Sequence, residues 1–372
     1  MHKRRLQSIL ITCHLSLITA LAQTAVSSYM PGVTSEGAVY CLPKTGVRIT
    51  IQVEKTTYTP GDFCKYAERY LRLMNVSEQP SVSYRIVGIQ QEPFAVADTS
   101  KMYAIKFDAR TAASNVRLSD DGILLAINTP LSFPKGEESP ANSGARRPSS
   151  PSGRPGGVPG GVSPRQYLSE EILSAGSTSK MAELTAQDIY EIRESRNLLT
   201  RGQADYMPKD GEQLRLMLSQ LEQQDRALTS LFAGITVSDT TEYSFTVIPD
   251  KVIKRDILFR FSQKLGLVDS DDLAGVPYYI SIENLGTVPQ PETIDPKKKG
   301  KQQPGVYVNI PGRMRSTIAD ATQTLISNEY PAGQFGNVEL LSGALFNKRY
   351  TTHLLLHPIS GAVDRLDAEQ PK

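Results

Sequence analysis

Two histidines four residues apart, His353 and His357, are the residues whose types and spacing come nearest to a catalytic or metal-binding motif. On a helix this spacing serves zinc proteases, but their motif also places a Glu after the first histidine, and here three leucines fill the gap. Thr351, Thr352 and the alternating pattern predict a strand instead, on which residues four apart lie about 13 Å from each other. The sequence therefore predicts no metal site.

Cys41 and Cys64 can form a disulfide if the chain enters an oxidising compartment. Their bridge would link a predicted strand to the helix that follows it. The sequence does not supply the separation of the two Cα atoms that a disulfide requires. A bridge and two free thiols therefore both stay open, and a thiol titration with and without reductant distinguishes them.

No residue pattern marks a catalytic centre of the other common kinds. There is no Gly-x-Ser-x-Gly elbow, and the glycine-rich run at 156–161 does not lie between a strand and a helix, as a phosphate-binding loop requires. A pair of carboxylates for hydrolysis stays open, because such pairs come from distant strands. The chain has 39 Asp and Glu residues, too many for the sequence to single out one catalytic pair. The sequence nominates no catalytic residue and no cofactor.

The first 22 residues have the organisation of a secretory signal peptide. Three basic residues at positions 3–5 precede a mostly apolar run over 6–21, and Ala20 and Ala22 are small residues at the positions that signal peptidase recognises. We therefore expect an exported mature chain that begins near Gln23. No later apolar run is long enough to span a bilayer, so no transmembrane helix is expected after the leader is removed.

The charge balance of the expected mature chain is close to neutral. Without the leader, the 41 Lys and Arg side chains fall to 38, against 39 Asp and Glu, which gives a balance of −1. A general surface for nucleic acid or anionic lipid is therefore not favoured.

Composition and periodicity predict an α+β fold built largely of antiparallel β modules. Between 135 and 164, Pro, Gly and Ser supply 19 of 30 residues, a composition that cannot bury enough apolar surface to order itself. The predicted organisation is a signal peptide at 1–22, an N-terminal α+β module at 30–132, a disordered segment at 133–165, a helical hairpin at 166–234 and a C-terminal β-rich module at 235–368.

Two helical regions stand out from the strand pattern. Thr59 and Pro60 have the types of an N-cap and a first helical residue, and an apolar stripe follows them to Met74, which predicts a helix that covers one face of a sheet. In the hairpin, Thr185 and Asp210 are the predicted N-caps, with Gly202 ending the first helix. The charged residues expected to point outward from the hairpin, and to contact a partner, are Arg193, Glu194 and Arg196.

Five stretches of the sequence together resemble one family of exported Bacteroidetes proteins, known only as domain of unknown function family 4831. These stretches are Leu42 to Thr45, Thr59 to Leu71, Ile189 to Arg196, Gly333 to Gly336, and Leu345 to Gly361. The resemblance skips the Pro/Gly/Ser-rich stretch. It implies a Gram-negative envelope location, in the periplasm or associated with the outer membrane. It supplies no known catalytic residues.

Thr240 is a candidate site of modification in such an exported protein. Asp239, Thr240 and Thr241 fit the acidic-Thr-Thr pattern at which exported Bacteroidetes proteins can be O-glycosylated. An intact-mass measurement of the secreted chain tests this prediction.

The function that the sequence favours is a non-enzymatic envelope protein that binds another protein or a cell-wall polymer. This prediction rests on two β-rich modules, an exposed helical hairpin and no catalytic constellation. The alternative is a hydrolase of glycan or peptide whose carboxylates assemble across the two modules.

Overall fold

The structure is a computed structural model that describes residues 25–29, 38–106, 115–129, 163–208, 210–289, 305–346 and 351–369. The predicted signal peptide at 1–22 lies outside these residues. So do 30–37 of the predicted N-terminal module and 133–162 of the predicted disordered segment.

The described chain is α+β with antiparallel sheets and a small group of helices, which confirms the predicted class. Its strands are β1 (Ala25–Ser28), β2 (Ala38–Thr59), β3 (Ser81–Lys106), β4 (Val116–Leu118), β5 (Leu124–Ile127), β6 (Ile235–Val247), β7 (Ile253–Ser262), β8 (Gly266–Val268), β9 (Val276–Asn284), β10 (Gly305–Ala319), β11 (Thr324–Ser342), β12 (Thr351–Leu356) and β13 (Val363–Glu369). Its α-helices are α1 (Ala67–Leu71), α2 (Glu170–Leu173), α3 (Thr178–Arg201) and α4 (Gly211–Ala233), and 3-10 turns lie at Cys64–Tyr66, Pro164–Tyr167 and Gly343–Phe346.

The strands form three sheets. The first has the order β1-β3-β2-β6, the second β11-β10-β9-β7-β8, and the third β13-β12-β5-β4. The first two pack face to face, with the alternate residues of β2 and β10 meeting between them. The third covers one end of this sandwich.

Strand β2 connects three hydrophobic cores. Near its start, Tyr40 and Leu42 pack with the third sheet and the beginning of β10. In its middle, alternate residues from Val47 to Val53 face the second sheet. Beyond its end, Phe63 enters a third core formed with α1, α3 and α4. We call these helices, with α2 and the turns at Cys64–Tyr66 and Pro164–Tyr167, the helical head.

Strands of the modules predicted at 30–132 and 235–368 pair with each other in the structure. β6 pairs with β2 along Val47–Thr59, and β12 pairs with β5 through Leu354 and Ile127. Each predicted module therefore supplies strands to sheets of the other. Strands so distant in sequence pair without leaving a local sequence pattern. The Pro/Gly/Ser-rich composition, in contrast, is a local pattern and predicted a module boundary.

The helix predicted to start at Thr59 and cover a sheet is shorter and packs elsewhere. β2 continues to Thr59, and α1 begins only at Ala67. The N–H of Phe63 donates to the carbonyl oxygen of Leu231 at 2.7 Å, and a Cβ added to Gly61 would lie 2.1 Å from that oxygen. Because residues 61–63 contact the end of α4, the helix begins several residues later than predicted. α1 then packs on α3 and α4 rather than on a sheet.

The predicted helical hairpin is confirmed as α3 and α4, with one change of cap. Ser177 caps α3, accepting from the N–H of Lys180, while Thr185 is buried inside the helix and donates to the carbonyl of Met181 at 2.8 Å. Gly202 ends α3 in the left-handed conformation at φ 69°, as predicted. The predicted cap Asp210 opens α4.

Two other sequence boundaries differ from the structure. The sequence alternation from Met314 to Leu325 predicts one continuous strand, but the structure has a turn there, in which the Asp320 carboxylate accepts from the N–H groups of Thr322 and Gln323. The segment predicted as disordered to residue 165 ends in an ordered turn. There the Arg165 guanidinium binds the Asp62 carboxylate through two bonds of 2.9 and 3.1 Å. Composition averages over a window and so misses a short ordered end.

Candidate functional site

The charged residues predicted to contact a partner divide into two kinds. Arg193 donates to Asp225 at 3.0 Å and to the Thr229 hydroxyl at 3.1 Å, and Arg196 lies 3.7 Å from the same carboxylate. Both arginines therefore connect α3 to α4 while their side chains stay 34% and 39% exposed, and their contact with a partner stays a prediction. Glu194 is exposed, as predicted. The sequence signal for this cluster is Asp225 itself, an acid within the otherwise apolar seam of α4.

An open cleft of about 300 Å³ lies between α3 and α4. One stripe of α3 and one of α4 form its sides, and the turn at Pro164–Tyr167 closes one end. Its lining residues are Tyr167, Asp188, Glu191, Ile192, Ser195, Leu221, Gln224 and Leu228. The cleft thus has apolar and neutral polar surface with two carboxylates, and its described lining includes no basic side chain.

Asp188 is the electrostatically unusual residue of this cleft. Burial raises the pKa of its carboxyl, and the negative charges of Glu191 and Glu171 raise it further. Glu191 lies one turn further along α3, on the same face as Asp188. A positive group that entered the cleft would relieve this repulsion. Sequence reasoning missed Asp188, because Tyr167 and the α4 residues reach it only through the tertiary fold.

A second cluster of polar residues joins all three sheets. The Gln334 side chain accepts from the N–H of Thr45 at 2.9 Å and donates to the carbonyl oxygens of Thr45 and Pro249. The Asn309 amide donates to the carbonyls of Pro43 and Ser360, at 2.8 and 2.9 Å. We call this cluster the polar junction.

The polar junction has no room for a ligand at its centre. A Cβ added to Gly333 or Gly361 would lie between 2.4 and 3.0 Å from the Asn309 amide nitrogen, and both Thr45 and Asn309 are fully buried. Its hydrogen bonds satisfy backbone groups where three sheets meet. We therefore assign the junction to stability rather than to binding.

Three of the five stretches that carry the family resemblance meet at this junction. They are the stretches around Thr45, Gln334 and Ser360. The other two meet in the helical head, where Phe63 packs with Ile189. A family model described as "Domain of unknown function (DUF4831)" matches residues 36–364. The chain belongs to this family. No curated protein and no solved structure matches it.

Cys41 and Cys64 are both free thiols in the structure, so of the two states that the sequence left open, the structure has the unbridged one. Cys41 lies near the start of β2, and Cys64 follows its end. At about 3.3 Å per residue, the strand between them spans on the order of 50 Å. A bridge would require β2 to leave the first sheet.

His353 and His357 have the separate surroundings that a strand predicts. His353 lies in β12, with its Nδ1 against the carbonyl of Asn128, and His357 follows the strand and accepts from the N–H groups of Ile359 and Ser360. Within the described residues, no group of three or more His, Cys, Asp or Glu side chains is placed to hold a metal ion. In the same part of the chain, no helix combines the length and apolarity needed to cross a membrane.

Thr240, the candidate O-glycosylation residue, is exposed on β6. It lies opposite Glu54 of β2, on the face of the first sheet that points away from the second sheet. A modifying enzyme could therefore reach its hydroxyl. Whether the residue is modified stays a prediction.

Proposed function

We propose that this protein is a non-enzymatic, exported envelope protein that binds another protein or a cell-wall polymer through the cleft of its helical head. The observation that supports this is the pair of carboxylates, Asp188 and Glu191, in a cleft whose described lining contains no basic residue. Such a cleft favours a ligand that presents an ammonium or guanidinium group, such as a Lys or Arg side chain or a free amine on a wall polymer.

The cleft also has the mixed surface that recognition requires. Ile192, Leu221 and Leu228 supply apolar area, while Tyr167, Ser195 and Gln224 supply groups that orient a ligand. Tyr167 is held in place because its hydroxyl accepts from Gln223 at 3.0 Å. One side of the cleft is thus fixed before a ligand arrives.

A pull-down from envelope extract tests the proposal. The chain from Gln23 onward is the bait, and Asp188→Asn/Glu191→Gln is the variant that removes both charges while keeping the side-chain shapes. We expect the native chain to retain a specific protein or wall fragment and the variant to lose it. Glu194→Gln removes a carboxylate on the exposed part of the same helix and is the matched control. Equal retention by all three chains would contradict the proposal.

A hydrolase is the second candidate, because the raised pKa of Asp188 is a property of a proton donor. Glu191, one turn away, is then the second carboxylate. Incubating the chain with purified wall glycan and with unfolded peptide, and measuring new reducing ends and new amines, tests this candidate. Turnover by the native chain that Asp188→Asn abolishes would favour the hydrolase over a binding protein.

A further inference from the structure

Strand β6 forms a long unpaired edge of the first sheet. It lies last in the order β1-β3-β2-β6, and among the described strands only β2 pairs with it. The pairing with β2 runs from Val247 to Ile235 without a register shift. One row of backbone N–H and C=O groups along 13 residues therefore faces outward, ready to accept another strand.

The other long edges are protected by the devices that proteins use against strand addition. β3 carries Pro93 and two register shifts against β2, and the N–H of Tyr84 is already bound to the carbonyl of Gln263. β11 also carries a register shift and packs against the first sheet. In contrast, β6 contains no Pro, Gly or Lys.

The sequence of β6 is close to a palindrome about Thr241. Equal steps in both directions bring together Thr236 with Thr246 and Ser238 with Ser244. The same steps bring together Val237 with Phe245 and Ile235 with Val247. A palindrome is what an antiparallel pairing of two identical strands needs, because a twofold axis places each residue opposite its mirror position.

The charges of β6 are also compatible with this pairing. The two acidic residues fall opposite uncharged ones, Asp239 opposite Tyr243 and Glu242 opposite Thr240, so no like charges face each other. Val237 and Tyr243, which are 45% and 38% exposed, would gain apolar or aromatic neighbours on the same face.

We propose that two copies of this chain associate through β6, antiparallel and with Thr241 on the twofold axis, to make one continuous eight-stranded sheet. The occupant of the edge is a second copy, because the palindrome fits this strand to itself. The interface is distinct from the cleft in the helical head and does not depend on the function proposed for it.

Cysteine cross-linking tests the register. In a Cys41→Ser/Cys64→Ser background, Ser238→Cys and Ser244→Cys are made in separate chains that carry different affinity tags. We expect neither chain to form a disulfide dimer alone, and a mixture to form the heterodimer, because residues 238 and 244 of the two copies are directly opposite. Thr241→Cys alone should also give a dimer, through the axis. Hydrogen-bonded and non-hydrogen-bonded pairs alternate along an antiparallel ladder, and their Cα separations differ. The 238–244 pair and the 241–241 pair are of opposite types, so one of these two cross-links tests the closer pair.

Charge variants test the interface in solution by sedimentation velocity. Thr240→Glu places a new carboxylate opposite the second copy's Glu242 and should weaken self-association by roughly tenfold or more. Thr240→Lys places an ammonium group there and should retain or strengthen it. Ser83→Glu, on the same face of β3, is the matched control and should leave association unchanged. Thermal melts establish that all four chains are folded.

A native chain that stays monomeric at concentrations up to about 100 µM would overturn the proposal. A dimer with a dissociation constant above this value is too weak to count as a specific association. A dimer that forms neither predicted cross-link, or in which Ser238→Cys alone cross-links, would overturn it as well. So would equal association constants for Thr240→Glu and Thr240→Lys.

Discussion

At the scale of single residues, charged groups in the helical head are used in two opposite ways. Asp225 is 14% exposed and gathers Arg193, Arg196 and Thr229 around it. Asp188 is partly buried, lies near two other carboxylates, and has no ion pair among the residues that the structure describes. One acid therefore stabilises the packing of α3 on α4, and the other lowers the stability of the fold when it is ionised.

Asp225→Ala is expected to lower the free energy of unfolding by about 1–3 kcal/mol, because it removes the one carboxylate that two partly exposed guanidinium groups share. The measurement is denaturant unfolding followed by circular dichroism. Glu222→Ala is the control, since Glu222 pairs with the exposed Arg226 and its loss should have no measurable effect. Equal effects of the two substitutions would contradict this role for Asp225.

Asp188→Asn is expected to stabilise the chain at neutral pH and to have no effect in acid. The native state holds the Asp188 proton more tightly than the unfolded chain does, because the native pKa is raised. Stability is therefore lost as the pH rises from the ordinary carboxyl pKa of about 4 through the raised value. Unfolding curves between pH 3 and 8, compared with those of Glu194→Gln, measure the difference. Destabilisation of Asp188→Asn at neutral pH would contradict it.

At the scale of elements, the contact between the end of β2 and the end of α4 joins the helical head to the sheets. Gly61 allows this contact, because the backbone of Leu231 occupies the position that a Cβ atom at residue 61 would need. Tyr58 strengthens it by donating to the carbonyls of Ser77 and Ala233. The same contact explains why the helix pattern after Thr59 gives only the short α1.

Gly61→Ala is expected to lower the free energy of unfolding by more than about 2 kcal/mol, because backbone at 2.1 Å cannot yield to a methyl group. Gly176→Ala is the matched control, since an added Cβ there meets nothing within 4 Å. Thermal unfolding of the two variants gives the comparison. A melting temperature for Gly61→Ala equal to that of the control would show that the contact is not needed.

At the scale of the whole molecule, segments from both sides of the Pro/Gly/Ser-rich stretch build the same sheets. The strand pairs that join the two sides of this stretch are β2 with β6 and β5 with β12. Arg165 and Asp62 make a further link across it in the helical head. The described sheets and the helical head therefore both contain segments from either side of the compositional boundary.

A chain cut inside the Pro/Gly/Ser-rich stretch should therefore stay assembled. With a protease site inserted after Gly160, we expect the two fragments to co-elute from a gel-filtration column after cleavage and to separate only in denaturant. The shared β2–β6 and β5–β12 pairs supply the physical reason. Fragments that separate in native buffer would show that the predicted modules fold independently.

The sequence by itself determined the α+β class, the hairpin helices with their caps at Gly202 and Asp210, and the strand conformation of His353. Each of these depends on local properties: apolar periodicity, backbone preference and capping chemistry. The family resemblance was equally readable, because it rests on contiguous stretches such as Leu42 to Thr45.

Only the tertiary structure decided which strands share a sheet, where Cys41 and Cys64 lie, and which charges form ion pairs. Arg193 and Arg196 have the spacing of an exposed helix face, and only the tertiary structure pairs them with Asp225 on a neighbouring helix. The cleft around Asp188 depends likewise on three segments that meet in space. Such contacts join residues far apart in the chain, so no short stretch of the sequence predicts them.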